Sequence, residues 1–562
     1  MRFVRFLLGL LLALLGLAVA VVGAFTAFWL VGPDDTVYAG EQTLTSKGLA
    51  IASTPQLLDR HGPTLHVKAH SADGSPVFVG VARDLDVASY LKNTAYTSLA
   101  QVEYPIALTT QERKGTAGPL TAPNTLDWWS TKASGPGTQS IAWPIEDGPY
   151  DVVIMRADGK EKLDVRADFG IELNGAFLAG LGILVVGLLL LAGGVVLLIP
   201  RRRSKTPPAS QPVATEVPAD QPHVGAGPMR RTALPPTARR MVGVPMVLSV
   251  VLVSGCSVIP ATDTVDSLTR PAITGDSATA VIKRYNAVNN AANKARDDKL
   301  IATIESGPLL RASQAGYTIG RATDKAGKKV DGPFSYTSPK IGAPSYGGYP
   351  MSFVTSSGLS SSKDHLHLGM WERESAGSPW IQTFSTAPRT TAKIPDLTGL
   401  RVATAADSAK LVAAPQAAAT ALAQYLTAGA KAPQAGRFTP SPEVNAVLAD
   451  VAKSKQPISN NAKAIRKVAA TVTVPNPPAT FIAASGEALV LTTLSSAYLL
   501  EAGAGYTFSW GNSPQSAFSA AQYENALTST TLYQVALAVP VKGGGKIRVL
   551  GLDTQLVDAG GY

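Results

Sequence analysis

The chain has 562 residues, enough for several domains that each bury a core, and its single cysteine excludes an intramolecular disulfide, so any exported domain must be held by burial alone. A hydrophobic content of 45% is high for a soluble protein and directs attention to membrane segments. The net charge of +10 suggests nucleic acid until it is located: Arg2 and Arg5 precede an apolar run, and residues 201–240 hold eight basic side chains against two acidic ones, which leaves the folded parts near neutral and argues against a nucleic-acid partner.

Residues 6–31, "FLLGLLLALLGLAVAVVGAFTAFWLV", are long enough to cross a bilayer: at 1.5 Å per residue they reach about 39 Å against a hydrocarbon core of roughly 30 Å. A signal peptide cleaved after Ala18-Val19-Ala20 is the rival reading, but the apolar run continues eleven residues further, which favours an uncleaved anchor over residues 1–31. Residues 32–175 alternate apolar and polar positions in short runs. "LHVKAHSADGSPVFVGVA" and "YDVVIMRADGKEKLDVRADF" each read as two strands, about Asp73-Gly74 and Asp158-Gly159, a dipeptide favoured in tight hairpins. "DLDVASYLKN" reads as a short helix, and the whole as an extracytoplasmic antiparallel β-sandwich. Trp128 and Trp129 are adjacent, so in a strand only one faces the core; the other is left for the membrane interface, a partner or partial exposure.

Residues 176–199 form a second transmembrane segment, ended by Pro200 and "RRRSK". The arginines predict an inside N-terminus, residues 32–175 outside and residues 200–240 inside. The runs "VFVGVARDLDVASYL" and "WWSTKASGPGTQSIAWPIEDGPYDVVIMRADG", followed by this apolar helix, resemble a family of actinobacterial membrane proteins of unknown function. They share a first span, a β-rich extracytoplasmic domain and a second span. The resemblance covers roughly residues 1–203 and implies topology but no catalytic residue.

Residues 200–240 are basic and proline-rich and read as a disordered cytoplasmic linker. Residues 241–255 are too short for a comfortable span but suit the apolar region of an export signal. They end in Val253-Ser254-Gly255-Cys256, which resembles a bacterial lipobox: small residues admit the signal peptidase and the thiol takes up a diacylglyceryl group. A buried core cysteine is the plainer alternative. From residue 229 onward the chain resembles an actinobacterial lipoprotein of unknown function, as if two genes were joined.

After a tether, "SATAVIKRYNAVNNAANKARDDKLIATI" places Ala280, Ile282, Tyr285, Val288, Ala292 and Ala295 at helical spacing. Strands come next, then helices, then strands again, which divides the region into α+β domains at 256–402 and 403–562. The element order resembles the nuclear-transport-factor-like cone fold, a bent antiparallel sheet under helices, twice in tandem. Tyr533, Val535, Leu537, Val539 and Val541 share one strand face, and glycines 543–545 turn the chain back.

In "DHLH", Asp364, His365 and His367 offer a weak metal site, since histidines at i and i+2 share a strand face; exposed strand polarity is the plainer reading. "VKGGGKIRV" lacks phosphate-loop spacing, and no G-x-S-x-G, S-x-x-K or H-E-x-x-H set marks a catalytic centre. No cofactor is implied. The sequence thus reads as a non-enzymatic, multi-pass cell-envelope protein bound to the bilayer by its spans and a covalent lipid on Cys256. Its outside domains would bind another envelope protein or a wall component. The second reading is a carrier or sensor of a small apolar ligand.

Overall fold

Glycine recurs every seven residues in both apolar segments, at Gly9, Gly16 and Gly23 and again at Gly180, Gly187 and Gly194. The computed structural model describes residues 2–55, 62–103, 107–116, 118–160, 162–199, 269–328, 330, 332–456 and 463–562, and explains this period. Arg2–Phe25, continued by a π turn over Thr26–Val31, and Ala176–Leu198 form an antiparallel helix pair, each member long and apolar enough to cross a membrane. The glycines make the seam. A methyl group on Gly16 would meet the Gly187 carbonyl oxygen at 2.8 Å, and one on Gly194 would meet the Ala13 Cα at the same distance. A seven-residue repeat keeps such a seam facing its partner, and small residues let backbones approach. The large side chains point outward: Leu178 and Leu189 are each 68% exposed.

The helix pair belongs to a compact unit of residues 1–38, 60–65 and 170–261. The end of the pair where the second helix starts is closed by Asp35, whose carboxylate accepts the Gly175 N–H at 3.1 Å and the Phe177 N–H at 2.7 Å. Those are free donors of the second helix's first turn, and a carboxylate there also meets the positive end of the helix dipole. Thr36–Tyr38 pairs antiparallel with the residues just before that helix, Thr36 opposite Glu172 and Tyr38 opposite Gly170.

The second unit holds residues 39–59, 66–169 and 262–562. Its first part contains a six-stranded sheet in the order Ala107–Arg113, Tyr96–Glu103, Ala50–Ser53, Tyr150–Arg156, Val77–Arg83 and Thr131–Gly135. Ala50–Ser53 and Tyr96–Glu103 run parallel, so the sheet is mixed where an antiparallel one was expected. A second sheet contains Gln42–Ser46, Leu163–Glu172, Thr64–Ser71 and Gln139–Pro144. The two Asp-Gly turns are not hairpins. Each carries the chain from one sheet to the other, because the connections are longer than the two residues a tight hairpin takes. Their aspartates shape the corners: Asp73 Oδ1 accepts the Ser75 N–H at 2.9 Å and Asp158 Oδ1 accepts that of Lys160 at 3.1 Å. Arg156 ties both corners together through Asp158 at 3.1 Å and the Ser75 hydroxyl at 2.9 Å.

The helices-then-strands order does occur twice in residues 269–562, giving a mixed α+β architecture. Gly275–Ala295, Asp298–Ile301 and Gly307–Thr323 precede a four-stranded antiparallel sheet of Tyr336–Gly342, Met351–Leu359, Ser362–Arg373 and Ile381–Thr386. Ala405–Ser408, Pro415–Ala428 and Pro442–Ser454 precede all but the first strand, Arg401–Val402, of a six-stranded sheet whose long members are Ala488–Ala502, Ala526–Val539 and Arg548–Gly561. The first long helix buries Ala278, Ile282, Tyr285, Asn289 and Ala292, whereas Ala280 and Ala295 lie outside. Its asparagines grip the sheet edge as a strand would. Asn286 exchanges hydrogen bonds with the Tyr336 backbone at 3.0 and 3.2 Å, and Asn290 with that of Phe334 at 3.0 and 2.7 Å. The strand Ala526–Val539 buries both faces. Tyr533, Val535, Leu537 and Val539 pack with Ala418, Leu422 and Val447 of the helices. Ala536 and Ala538 pack with Val354, Leu368 and Phe384 of the other sheet.

Trp128 and Trp129 lie in a loop, not a strand, with ring centroids 4.2 Å apart. Trp129 packs on Phe78 in the core, while the Trp128 Nε1–H donates to the Ala376 carbonyl at 2.9 Å. The partner of the second tryptophan is therefore the C-terminal part of the chain. Gly16→Leu is expected to lower the melting temperature of the protein in mild detergent by several degrees, because the seam cannot open without losing contacts along both helices. Leu189→Ala, on an outward position, is expected to leave it unchanged.

Candidate functional site

Perturbed side chains converge in the first α+β module. Glu305 follows Ile301 and Ile304 and is 3% exposed. Its carboxylate accepts the Tyr285 and Ser313 hydroxyls, each at 2.6 Å, from the two helices that flank it. Burial raises its pKa to about 7, and the two hydroxyls only partly counter that. Tyr285 stacks on Tyr336 with centroids 5.5 Å apart, and Tyr336 on His367 at 3.6 Å. Desolvation raises both tyrosines, and it lowers His367 to about 3, so the imidazole is neutral. Gln382 Nε2 lies 2.9 Å from His367 Nε2, so the amide and the neutral ring are hydrogen-bonded to each other.

His367 is 2% exposed, a correction to the exposed strand polarity expected for "DHLH". Its strand lies in a sheet covered by helices on one face and by the second module's sheet on the other. His365 is half-buried, its Nδ1 3.4 Å from the Ser362 hydroxyl. Among the described residues no group of three His, Cys, Asp or Glu could hold a metal ion. Val253, Ser254, Gly255 and Cys256 lie outside the described residues. The sequence reading missed Glu305; its signal was an acid between Ile304 and Leu309 with no basic residue beside it until Arg311.

Ser313 also lines a cleft of about 850 Å³ with Asn293, Tyr317, Phe334 and Gln555. A second cleft, of about 420 Å³, opens in the second module and is lined by Tyr498, Trp510, Tyr533, Ser529 and Thr531, together with Thr554 and Leu556. Gln555 faces one cleft and its two neighbours the other, as alternation along a strand requires. Chemically, the Glu305 cluster can hold or release a proton behind the Ser313 hydroxyl, while the second cleft offers aromatic faces beside hydroxyl groups.

These features define a protein with a glycine-seamed pair of apolar helices and a mixed α+β body bearing polar-aromatic clefts. Residues 269–561, just over half of the chain, match the family described as Domain of unknown function (DUF8094), and the chain belongs to that family. No curated protein and no solved structure matches it.

The raised pKa of Glu305 makes stability pH-dependent with a definite sign. The folded state holds the proton more tightly than the unfolded chain, so the contribution is full below pH 4.5 and is lost as pH rises through about 7. The loss is on the order of 3 kcal/mol. Wild-type protein is expected to melt progressively lower from pH 5 to 8, and Glu305→Gln to flatten that slope in the same scans.

Proposed function

We propose that the chain is a non-enzymatic cell-envelope protein that spans the membrane and presents its extracytoplasmic domains to a wall component. The observation that carries this reading is the helix pair: apart from Val31 its buried residues are the small ones of the seam, while most of its large apolar side chains point outward as a bilayer would require. Residues 32–175 form the outer β-sandwich of this reading, and residues 256–402 and 403–562 two cone-like modules. Docking of residues 269–562 on residues 39–169 supports the same topology. A spanning antiparallel pair returns the chain to its starting side at residue 199, so a body docked on the far side demands one more crossing. Residues 241–255 supply the apolar run for it, and Cys256, lipidated, would anchor the C-terminal modules to the outer leaflet.

The clefts favour a polar, ring-bearing wall component over a small apolar ligand. Tyr498 and Trp510, with centroids 5.9 Å apart, stand beside Ser496, Ser529 and Thr531. Aromatic faces with adjacent hydroxyls suit sugar rings, whereas an acyl chain would leave those hydroxyls unpaired.

Two measurements test this. In a Cys256→Ser background, an impermeant maleimide is expected to label Ser71→Cys and Ser360→Cys in intact cells and to spare Ser204→Cys; the inverse pattern defeats the topology. Binding of isolated wall glycan to the purified protein is expected to weaken about tenfold in Trp510→Ala, roughly 1.4 kcal/mol. Co-purified lipid with no glycan affinity would favour the carrier reading instead.

A further inference from the structure

Residues 39–169 and 269–562 meet across a face built like a protein–protein interface. At its centre Ala376, fully buried, packs with Tyr90, Trp128 and Tyr349. The Trp128 indole donates to the Ala376 carbonyl at 2.9 Å, and the Ala376 N–H to the Ser89 hydroxyl at 3.1 Å. The Thr121 hydroxyl donates to the Gly377 carbonyl at 2.8 Å. Two ion pairs flank this centre. Asp86, fully buried, accepts Arg270 Nε and the Tyr349 hydroxyl, each at 2.8 Å; Arg373 Nη1 donates to Asp127 at 2.7 Å. A buried aromatic centre with specific polar partners around it is the anatomy of an energetic hot spot. A desolvated charge pair adds little net energy but rejects partners that cannot complete it, since an unpaired buried charge costs about 3–5 kcal/mol.

Every one of these contacts is made by residues on either side of the connection at 200–268, and none requires that connection to be intact. All the C-terminal contributors, Arg270, Tyr349, Arg373, Ala376 and Gly377, lie inside the segment matching the family, and all the N-terminal ones lie outside it. We infer that residues 39–169 are a docking surface for a DUF8094 module, sufficient to hold it without a peptide bond between them. The occupant is the module at residues 269–562 of this chain. The inference does not depend on the membrane topology or on glycan binding, because the contact is read in detergent.

The test uses the full chain with a site for a specific protease inserted in residues 206–228 and an affinity tag at the N-terminus. After purification in mild detergent and complete cleavage, the wild-type halves are expected to co-elute on the tag and in size exclusion. Asp127→Arg is expected to release most of the C-terminal half after cleavage, and Asp127→Arg with Arg373→Asp to recover it. That recovery separates loss of the interface from failure to fold, and a melting curve on each uncut protein checks the same point. Separation of the wild-type halves upon cutting overturns the inference. So does retention of Asp127→Arg and Ala376→Arg halves as firmly as wild type, since the contact would then lie elsewhere.

Discussion

Burial of the strand Ala526–Val539 on both faces is the constraint around which the C-terminal half is arranged. Large side chains on one face meet the helices, and alanines on the other let the neighbouring sheet approach closely. Burial stabilises by about 25 cal/mol per Å² of apolar surface, so a strand covered twice contributes nearly twice what a half-exposed one does. A domain with no disulfide needs that contribution from each residue. The same layering sets the chemistry. A sheet closed on both sides has no wet face, so a polar atom in it is either paired inside the protein, as His367 Nε2 and Gln382 Nε2 are with each other, or left at a cost, as His367 Nδ1 and Gln382 Oε1 are.

Several polar groups elsewhere join elements distant in sequence. Asn286 and Asn290 bind a helix to a strand edge, Arg156 binds two sheet corners, and Asp86 binds residues 39–169 to Arg270. Exposed ion pairs between neighbouring residues contribute little, but these bonds are satisfied in one arrangement only, so they select the arrangement that burial alone would leave degenerate.

Much of this was legible in the sequence, for identifiable reasons. Long apolar runs announce the two helices, and period-two alternation announces strands such as Ala526–Val539, because both signals are local. The face of the helix Gly275–Ala295 was only half legible. Ala280 and Ala295 fitted an apolar pattern, yet the buried stripe runs through Asn289, whose role is set by what packs on it. The Asp-Gly corners were legible as turns but not as crossings between sheets, since the dipeptide encodes a bend and not the destination of the next strand. His367 was misplaced because its surroundings come from a second sheet; Trp128 is partly exposed beside a buried Trp129 as expected, but its hydrogen-bond partner, Ala376, lies 248 positions away and could not be read locally. Glu305 carries no motif at all, and its pKa is a property of enclosure.

Asp35 has a consequence for how this architecture can change. Its carboxylate holds the start of the second helix beside the end of the first, and Thr36 lies opposite Glu172. The excursion of the chain between those two positions therefore leaves and returns through a single narrow stem. Such a stem is indifferent to what it carries: a longer, shorter or unrelated domain could be exchanged there by recombination while the helix pair kept its geometry. The helix pair is in this sense a socket, and the segment inserted between its two members a replaceable part.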